Sequence, residues 1–508
     1  MAATGQKAFG DIASTAKFGS NRLMDTSFDL KLRAHRAMVE AGFRPDLPSE
    51  VTREVQTLRA RDVMAEPSIS DSRSLLWSSI DNDSSRDLDQ VEFVETLPDG
   101  TLKLLVGIAD VDSKVIKGSA IDAQAGVEST SVYTGVQTFP MLPNELSTDL
   151  TSLVDGQDRL ALVIELHILD SGEVSYQDVY RSWIRNRAKL AYSSTGAWLE
   201  GRGPMPVAVS GVPGLEAQLR LQADTAARLR GLRKQYGALT FGTIEATTVL
   251  EKDEVKDLVI NRHNLAEDII ESFMVAANVA MAKYLKKSGS LSIRRVVKTP
   301  KRWDRIQAIA VQFGSQLPSV PDPLALSQFL DKRKAADPAH FPDLSLSVVK
   351  LLGPGEYVAE AAGAPSQGHF GLAVNDYTHS TAPNRRYADL VTQRLLKAAS
   401  KGSALPYSEM ELSAIAAHCT GREDAARKVE RLMRKVIAAN ILSHRIGEVF
   451  DAIVTGASPK GTYVRLSKFP AEGRVTQGSQ GIDVGDSVQV RLASVNIDKG
   501  FIDFDKVR

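Results

Sequence analysis

The sequence predicts an α+β protein with about three domains. Alternating apolar and polar residues predict strands from about Leu75 to Leu169, helical periodicity dominates from Leu215 to His444, and short strands resume after Gly447. The chain has 508 residues, which is too long for a single hydrophobic core. We therefore expect a helical N-terminal segment, a central domain of strands and helices, and a C-terminal β-barrel, with boundaries at 1–70, 71–445 and 446–508.

The composition is typical of a soluble globular protein. Hydrophobic residues make up 43% of the chain and charged residues 24%. Cys419 is the single cysteine, which excludes an internal disulfide framework and favours a reducing compartment. The N-terminus lacks the apolar core of a signal peptide, and no stretch of about 18 apolar residues occurs. We therefore expect a cytoplasmic protein with no membrane segment.

Two helices are predicted near the N-terminus. Phe28 to Ala41 has amphipathic periodicity and ends at Gly42, and Pro48 opens a second helix that runs to about Leu58. A segment of this size could bind nucleic acid, guard a channel or pack on the central domain. The sequence does not choose among these roles.

An acidic cluster lies at the start of the central domain. Residues 80–92 read I-D-N-D-S-S-R-D-L-D-Q-V-E, so four aspartates fall within nine positions: Asp81, Asp83, Asp87 and Asp89. Like charges at this density repel one another, so they need a raised pKa or a bound cation. Oxygen-only ligands favour a hard divalent ion such as Mg²⁺ or Mn²⁺. A solvated acidic loop is the simpler alternative.

An EF-hand calcium loop is a second alternative for this cluster. If the loop begins at Asp81, acidic or hydroxyl residues occupy its positions 1, 3, 5, 7, 9 and 12. The sixth position needs glycine for a sharp turn and carries Arg86 instead. The flanking residues Val91–Val94 and Leu102–Ile108 predict strands where an EF-hand has helices. These two departures argue against an EF-hand.

Two long helices follow the strands, at Leu215–Gln235 and Leu265–Lys286. The second begins with a capping box, in which Asn264 pairs with Glu267. At 100° per residue, three polar residues of this helix lie within about 40° of one another; they are Glu267, Glu271 and Asn278. This polar stripe either faces solvent or lines a polar channel.

Basic residues concentrate between Lys283 and Arg305. This stretch holds nine lysines or arginines and a single acid, Asp304. Such a patch can bind phosphate groups, although a solvated face with extended lysines explains it equally well.

A candidate anion site lies at His379–Leu390, which reads H-S-T-A-P-N-R-R-Y-A-D-L. Pro383 suits the first turn of a helix, so we expect the free N–H groups of that turn and the guanidinium groups of Arg385 and Arg386 to face the same space. Together they match a phosphate group. In the alternative, one of the two arginines pairs with Asp389 on the same helix.

A long charged helix is predicted from Glu409 to His444, and a region of short strands follows it. The predicted strands are Glu448–Val454, Gly461–Leu466, Ser487–Ser494 and Gly500–Asp505. Their spacing fits a small OB-type barrel that binds single strands, with Phe450 and Tyr463 as candidate stacking aromatics.

Four stretches of the chain together resemble motifs of the RNase II/RNase R family of exoribonucleases. The acidic cluster resembles D-x5-D-x-D-D, and His379–Leu390 resembles H-x-T-S-P-I-R-R-Y-x-D-L. I-A-D-V at 108–111 and S-V-Y-T-G-V-Q-T-F-P-M-L-P-N-E-L-S at 131–147 resemble two further motifs, in the same order and with similar spacing. The resemblance runs from about Leu75 to the C-terminus, where the chain resembles an S1 RNA-binding domain. It implies an RNB-type catalytic domain with a mixed sheet and helices, followed by an OB-fold barrel.

The resemblance also implies roles for individual residues. Asp81 and Asp87 would help build a site for Mg²⁺, or in its place Mn²⁺, and Asp89 would be the carboxylate most needed for hydrolysis. Arg385 would contact the scissile phosphate. The implied RNA-binding residues are Tyr133 and Phe241, stacking on the terminal bases, Tyr192, Glu271 and Glu430, lining the channel, and Arg386.

The chain departs from the family pattern at several positions. Gln90 replaces the last aspartate of the signature, which would contact the metal; its carbonyl can still ligate a cation but supplies no charge. We therefore expect weaker metal binding, with Asp83 as a compensating acid. Ala382 and Asn384 replace a serine and an isoleucine, and Leu432 replaces an aspartate of the channel helix.

The resemblance implies a monomeric enzyme that hydrolyses single-stranded RNA from its 3′ end and releases nucleoside 5′-monophosphates. The alternative, suggested by Gln90, is an RNA-binding adaptor that has kept the fold and lost the chemistry.

Overall fold

The computed structural model describes residues 28–58, 69–242, 245–251, 254–261, 263–458 and 461–507. It confirms the α+β prediction, with a mixed seven-stranded sheet, helices packed on that sheet and a closed C-terminal barrel. Within the described ranges, no helix is long and apolar enough to cross a membrane. The division at residues 70 and 445 stays a prediction.

The first nine strands form the central sheet and a small separate hairpin. They are β1 (Ser70–Asp71), β2 (Ser78–Asp81), β3 (Gln90–Thr96), β4 (Leu102–Ala109), β5 (Val132–Tyr133), β6 (Thr138–Phe139), β7 (Asp158–Ile168), β8 (Val174–Arg185) and β9 (Ala188–Ala191). The central sheet has the order β1-β8-β7-β4-β3-β2-β9, and β5 pairs with β6 alone. The four middle pairings from β8 to β2 are antiparallel, whereas β1 pairs with β8 and β2 with β9 in parallel.

The middle of the sheet is buried on both faces. Strand β4 is nearly continuous in apolar residues, and all but one of its side chains are buried. Near-continuous apolar runs of this kind are typical of strands covered on both sides. The polar stretch between β2 and β3, which holds the acidic cluster, is therefore a loop at the end of a rigid sheet.

Twelve α-helices lie within the described residues. They are α1 (Leu30–Glu40), α2 (Ser49–Leu58), α3 (Ala120–Glu128), α4 (Tyr192–Leu199), α5 (Val207–Ser210), α6 (Leu215–Gln235), α7 (Leu265–Lys287), α8 (Trp303–Gln312), α9 (Pro323–Ala336), α10 (Phe341–Leu352), α11 (Tyr387–Lys401) and α12 (Glu409–Leu442). The capping box predicted for α7 is present, because Asn264 and Glu267 each accept a backbone N–H of the other.

The polar stripe predicted on α7 divides into three environments. Asn278 is buried, and its amide oxygen accepts the N–H and the hydroxyl of Ser380 at 2.8 and 2.9 Å. Glu271 is exposed and lies 3.5 Å from Arg233, whereas Glu267 caps the helix. The stripe is therefore neither one solvent face nor one channel wall, since Asn278 instead anchors the segment that leads to α11.

Helix α11 is fixed to the end of β4 by buried ion pairs. The Arg394 guanidinium contacts Asp112 and Asp122 at 2.8 Å, and the Lys397 ammonium contacts Asp110 and Asp112 at 2.9 and 2.8 Å. Removing one partner of a buried pair typically costs about 3–5 kcal/mol. This network holds the middle of α11, the helix that follows the two candidate arginines, against the end of β4.

Nine further strands complete the chain. They are β10 (Glu245–Glu251), β11 (Glu254–Asn261), β12 (Ser292–Val296), β13 (Glu356–Glu360), β14 (Val449–Ser458), β15 (Gly461–Leu466), β16 (Glu472–Gln477), β17 (Ser487–Asn496) and β18 (Phe501–Lys506). The last five close into the predicted barrel, in the order β14-β15-β16-β18-β17. Strand β16, E-G-R-V-T-Q, was not among the predicted strands because it has a single large apolar residue.

The barrel contacts both the N-terminal helix and the helical region before β13. The Arg33 Nε of α1 donates to the carbonyl of Asp498 at 2.9 Å, and the Arg465 guanidinium pairs with Asp343 of α10 at 2.9 Å. Helix α1 therefore packs against the C-terminal barrel.

Within the described residues, four of the nine basic residues between Lys283 and Arg305 form ion pairs. Arg294 and Arg295 are buried and pair with Glu360 and Glu423, at 2.8 and 2.6 Å. Lys286 pairs with Asp376. Phosphate binding by the remaining basic residues of this stretch stays a prediction.

Candidate functional site

The centre of the site is a buried carboxylate opposite an accessible arginine. Asp89 is 2% exposed, and the Arg385 Nε lies 3.3 Å from its Oδ2. Oδ2 makes no aligned hydrogen bond, so this contact is an ion pair without a directed N–H. The Arg385 side chain is 42% exposed, which leaves N–H groups available to a second anion.

The segment before α11 positions both groups, in a way that the sequence did not predict. Pro383 is not in the first turn of the helix: α11 begins at Tyr387, and Ala382 to Arg385 form a preceding turn in which the Arg385 N–H donates to the Ala382 carbonyl at 3.2 Å. The Asn384 N–H donates to Asp89 Oδ1 at 3.0 Å. The turn therefore binds the carboxylate of the protein itself, and its N–H groups are not a free phosphate cradle.

The substitution at Asn384 has a visible consequence. Its side chain is fully buried, and its amide oxygen accepts the Thr151 hydroxyl at 2.6 Å. This bond ties the turn to the loop before β7. The departure from isoleucine thus adds a polar anchor beside Asp89, while its Nδ2 makes no hydrogen bond.

The acidic loop is held in place mainly through its backbone. The Ser152 hydroxyl accepts the Leu88 N–H at 3.0 Å and donates to the Arg86 carbonyl at 2.8 Å. The Ala109 N–H donates to the Asp89 carbonyl at 2.9 Å. These bonds fix the loop without consuming its carboxylates.

The other aspartates have different partners. Asp81 accepts the Asn82 N–H and the Ser85 hydroxyl at 2.7 and 2.9 Å, and Asp87 accepts the Tyr133 hydroxyl at 3.1 Å. Asp83 is exposed and accepts the Ser193 hydroxyl at 2.9 Å, so its carboxylate is engaged outside the Asp89 pair. That placement does not support Asp83 as the compensating acid.

Burial dominates the electrostatics of this site. It raises the pKa of Asp89 to about 7, although the charge of Arg385 and the Asn384 N–H both act to lower it. Burial also raises the pKa of Asp81, and burial together with the nearby charge of Asp81 raises that of Glu92. Three carboxyl groups are therefore costly to ionise unless a cation compensates them.

The oxygen atoms at this site are of the type that binds a hard divalent cation. In the described residues, however, they do not converge on one point. Carboxylate and amide oxygens are available, and the buried Asp89 Oδ2 has no hydrogen-bond partner. Among the described residues, no three His, Cys, Asp or Glu side chains stand close enough together to hold a metal ion. Asp81, Asp87 and Asp89 would have to turn toward one another to form a coordination sphere.

Stability of the metal-free protein should depend on pH through Asp89. Its pKa is raised from 3.8 to about 7, so protonation stabilises the folded state below about pH 4 and this contribution is lost as the pH rises through 7. We expect Asp89→Asn to stabilise the metal-free protein by on the order of 3 kcal/mol more at pH 8 than at pH 5. Denaturant unfolding at both pH values tests this, and a difference that does not change with pH would contradict it.

Tyr133 bridges the acidic loop and α12. Its hydroxyl donates to Asp87, its N–H donates to the Glu430 carboxylate at 3.1 Å, and its side chain is 42% exposed. A cavity of about 190 Å³ lies beside it, lined by Tyr133, Arg385, Arg386, Arg427 and Glu430 among others. The structure thus brings together four of the predicted site residues: Tyr133, Arg385, Arg386 and Glu430.

The remaining predicted RNA contacts are less well placed. Arg386 forms a bidentate pair with Asp389, at 2.9 and 2.8 Å, as the alternative reading of that segment proposed. Phe241 packs on the cluster around Trp303 and Phe341, and no ring contact within the described residues joins it to Tyr133. A sandwich of bases between Phe241 and Tyr133 stays a prediction.

Tyr192 and Glu271 lie on different helices. Tyr192 is the first residue of α4 and is half-buried, within electrostatic range of Asp81 and Glu92. Glu271 is exposed on α7. Of these two residues, Tyr192 is the one that lies near the acidic loop.

The sequence analysis missed Glu92 as a site residue. Its side chain is fully buried on β3, and neither carboxylate oxygen has a hydrogen-bond partner. The alternation of side chains along β3 could have indicated this residue, because residues 90 and 92 point to the same face of the strand.

The chain is similar to known protein families and to proteins of known structure. The RNB domain model matches residues 69–402, and the model of the RNase II-type exonuclease C-terminal S1 domain matches residues 448–507. Ribonuclease R of Thermotoga maritima is 32% identical over 451 residues, which cover 85% of this chain and 61% of that protein. Ribonuclease R 2 of Lactococcus lactis is 29% identical over 467 residues, covering 86% of this chain and 69% of that protein.

A solved structure gives the same fold. Mycoplasma genitalium RNase R, in complex with ribose-methylated single-stranded RNA, superposes with a TM-score of 0.84 at 22% identity, over 94% of this chain and 78% of that one. The chain thus spans about three fifths of the Thermotoga relative and nearly four fifths of the Mycoplasma one.

Proposed function

Since the chain belongs to the RNB-domain family with a C-terminal RNase II-type S1 domain, we propose that it is a 3′→5′ exoribonuclease that hydrolyses single-stranded RNA to nucleoside 5′-monophosphates. The observation that carries this proposal is the pair formed by Asp89 and Arg385. A buried carboxylate with an unpartnered oxygen faces a half-exposed guanidinium at 3.3 Å. The exposed N–H groups of Arg385 would bind a phosphodiester, and a cation held by Asp89 would offset the negative charge of that group.

Asp81, Asp87, Asp89 and the carbonyl of Gln90 would hold Mg²⁺, or in its place Mn²⁺. The ion, when bound, acts as a Lewis acid and lowers the pKa of a bound water. It would also neutralise carboxyl groups whose ionisation burial opposes.

The side chains of the protein have separate tasks. Arg385 would bind the non-bridging oxygens of the scissile phosphate and stabilise the charge that develops there. The Asn384 N–H fixes the orientation of the Asp89 carboxylate, so Asp89 presents Oδ2 to the reacting centre.

Tyr133 would stack on the 3′-terminal base. Base–aromatic stacking contributes about 1–3 kcal/mol per base, so Tyr133→Ala should weaken binding of single-stranded RNA by about 5- to 150-fold. Tyr133→Phe keeps the ring and loses only the hydrogen bond to Asp87, so it should stay within about threefold of wild type. Fluorescence anisotropy of 5′-labelled RNA in EDTA separates the two, and equal losses in both variants would contradict stacking.

A 5′-labelled RNA oligomer incubated with Mg²⁺ or Mn²⁺ tests the proposed activity. We expect a ladder shortened from the 3′ end, nucleoside 5′-monophosphates as products and no cleavage in EDTA. Cleavage from the 5′ end, or internal cuts, would contradict the proposal. The same protein should elute as a monomer in size-exclusion chromatography, and we propose that it acts in the cytoplasm.

An RNA-binding adaptor without hydrolysis is the second candidate. Gln90 favours it, because this residue removes a negative charge from the acidic loop. Unchanged RNA with measurable affinity in the ladder assay would support the adaptor. The retained Asp89–Arg385 pair favours the enzyme.

A further inference from the structure

Glu92 is a buried carboxyl group that the proposed mechanism does not use. It lies on β3 with no exposed surface, and among the described residues neither of its oxygens has a hydrogen-bond partner. A buried carboxylate in this condition is strongly unfavourable, so a protein retains it only when something compensates it. The compensating group is a proton or a cation.

Two polar side chains lie near Glu92, and neither forms a hydrogen bond with its carboxylate. Ser78 lies directly opposite on β2, and its hydroxyl is buried and unpartnered. The Gln222 Nε2 donates weakly, at 3.4 Å, to the Glu92 backbone carbonyl, while its Oε1 is buried without a partner. No described Lys, Arg or His forms an ion pair with Glu92, so the protein itself does not supply the positive charge.

Glu92 lies on the same face of β3 as Gln90. Two residues along a strand span about 6.6–6.8 Å, so Glu92 lies deeper in the sheet than Gln90 and would act on a cation through its charge. The Gln90 amide makes no hydrogen bond with a described residue, although the residue is only 8% exposed. The Asp81 carboxylate acts electrostatically on Glu92, and both act on Tyr192. Glu92 therefore belongs to the same charged region as the acidic loop.

We propose that the Glu92 carboxylate supplies the negative charge that Gln90 lacks, as a further anionic group for the divalent cation held by Asp81, Asp87 and Asp89. This inference rests on the proposed metal site. It replaces the expectation that Asp83 compensates, since Asp83 is exposed and bonded to Ser193. The negative charge that the family signature has at position 90 would then come from position 92 in this chain.

Mn²⁺ binding to the full chain, measured by isothermal titration calorimetry without RNA, tests the inference. Removing a charged group that supports a metal site typically costs 10- to 100-fold in affinity, so we expect that loss in Glu92→Gln. Glu95→Gln is the matched control, because Glu95 lies on the same strand but pairs with Lys103 near the surface; it should bind Mn²⁺ as wild type does. Thermal melting confirms that each variant is folded.

A second substitution keeps the test independent of the folding of Glu92→Gln. If Glu92 already supplies the charge, Gln90→Asp in the wild-type background should gain less than about threefold in Mn²⁺ affinity, whereas Gln90→Asp should recover at least about tenfold in the Glu92→Gln background. A tenfold gain from Gln90→Asp alone, or unchanged affinity in Glu92→Gln, overturns the inference while leaving the metal site intact. Absence of Mn²⁺ binding in wild type would overturn the metal site of the proposed function as well.

Discussion

Asp89→Asn should abolish hydrolysis and leave RNA binding intact. The substitution keeps the shape of the side chain and its hydrogen bond from Asn384, but it removes the negative charge that would face the cation and Arg385. Loss of a charged group at this position should lower kcat by on the order of 1,000-fold. Single-turnover digestion of a 5′-labelled oligomer gives the rate, and anisotropy in EDTA gives the affinity.

The control for this substitution is Asp99→Asn. Asp99 lies in the exposed turn between β3 and β4, so the loss of its charge should leave both rate and affinity unchanged. A rate for Asp89→Asn within about threefold of wild type would show that Asp89 is not the essential carboxylate.

Arg385→Ala should lower kcat by on the order of 100-fold, because a donor that stabilises charge in the transition state is lost. Its side chain is 42% exposed, so the loss of stability should be smaller than that caused by Arg386→Ala. Steady-state kinetics with chemical denaturation separates the catalytic from the structural effect.

Arg386→Ala is the contrasting variant. Arg386 pairs bidentately with the fully buried Asp389 at the start of α11, so its loss should destabilise the fold by about 3–5 kcal/mol. If the two variants instead lost activity and stability in equal measure, the separate roles of the adjacent arginines would be wrong.

Local rules predicted much of the helical structure. Helix α6 has the predicted bounds, Leu215 and Gln235, and the capping box at Asn264 begins α7 as expected. These features depend on residues within one or two turns of each other, so the sequence carries them directly. The same holds for the Arg386–Asp389 pair, which has a helical spacing of three residues.

Features that depend on distant segments were not predictable. Pro383 fits a first helical turn, but the Asn384 N–H is bound by Asp89, which is 295 positions away, and the helix starts later. From the sequence we expected Asn278 to face solvent or to line a channel. In the structure it is buried and accepts a hydrogen bond from Ser380. The burial of Glu92 likewise depends on its pairing opposite Ser78 and on α6 covering the sheet.

The family motifs located the acidic loop and the arginine, whereas the partners of each group came from the fold. Sequence alone left Asp83 as the compensating acid, because it is a further aspartate of the same cluster. The Ser193 contact, formed after β9 returns beside β2, distinguishes it from them.

A crystal of the full chain grown with Mn²⁺ and a non-cleavable single-stranded RNA tests the central claim most directly, because anomalous scattering locates the ion. We expect an anomalous peak bonded to oxygens of Asp81, Asp87 and Asp89, with the Arg385 guanidinium bound to the terminal phosphodiester. A peak elsewhere, or these aspartates turned away from a phosphate that lacks Arg385, would contradict the nuclease proposal.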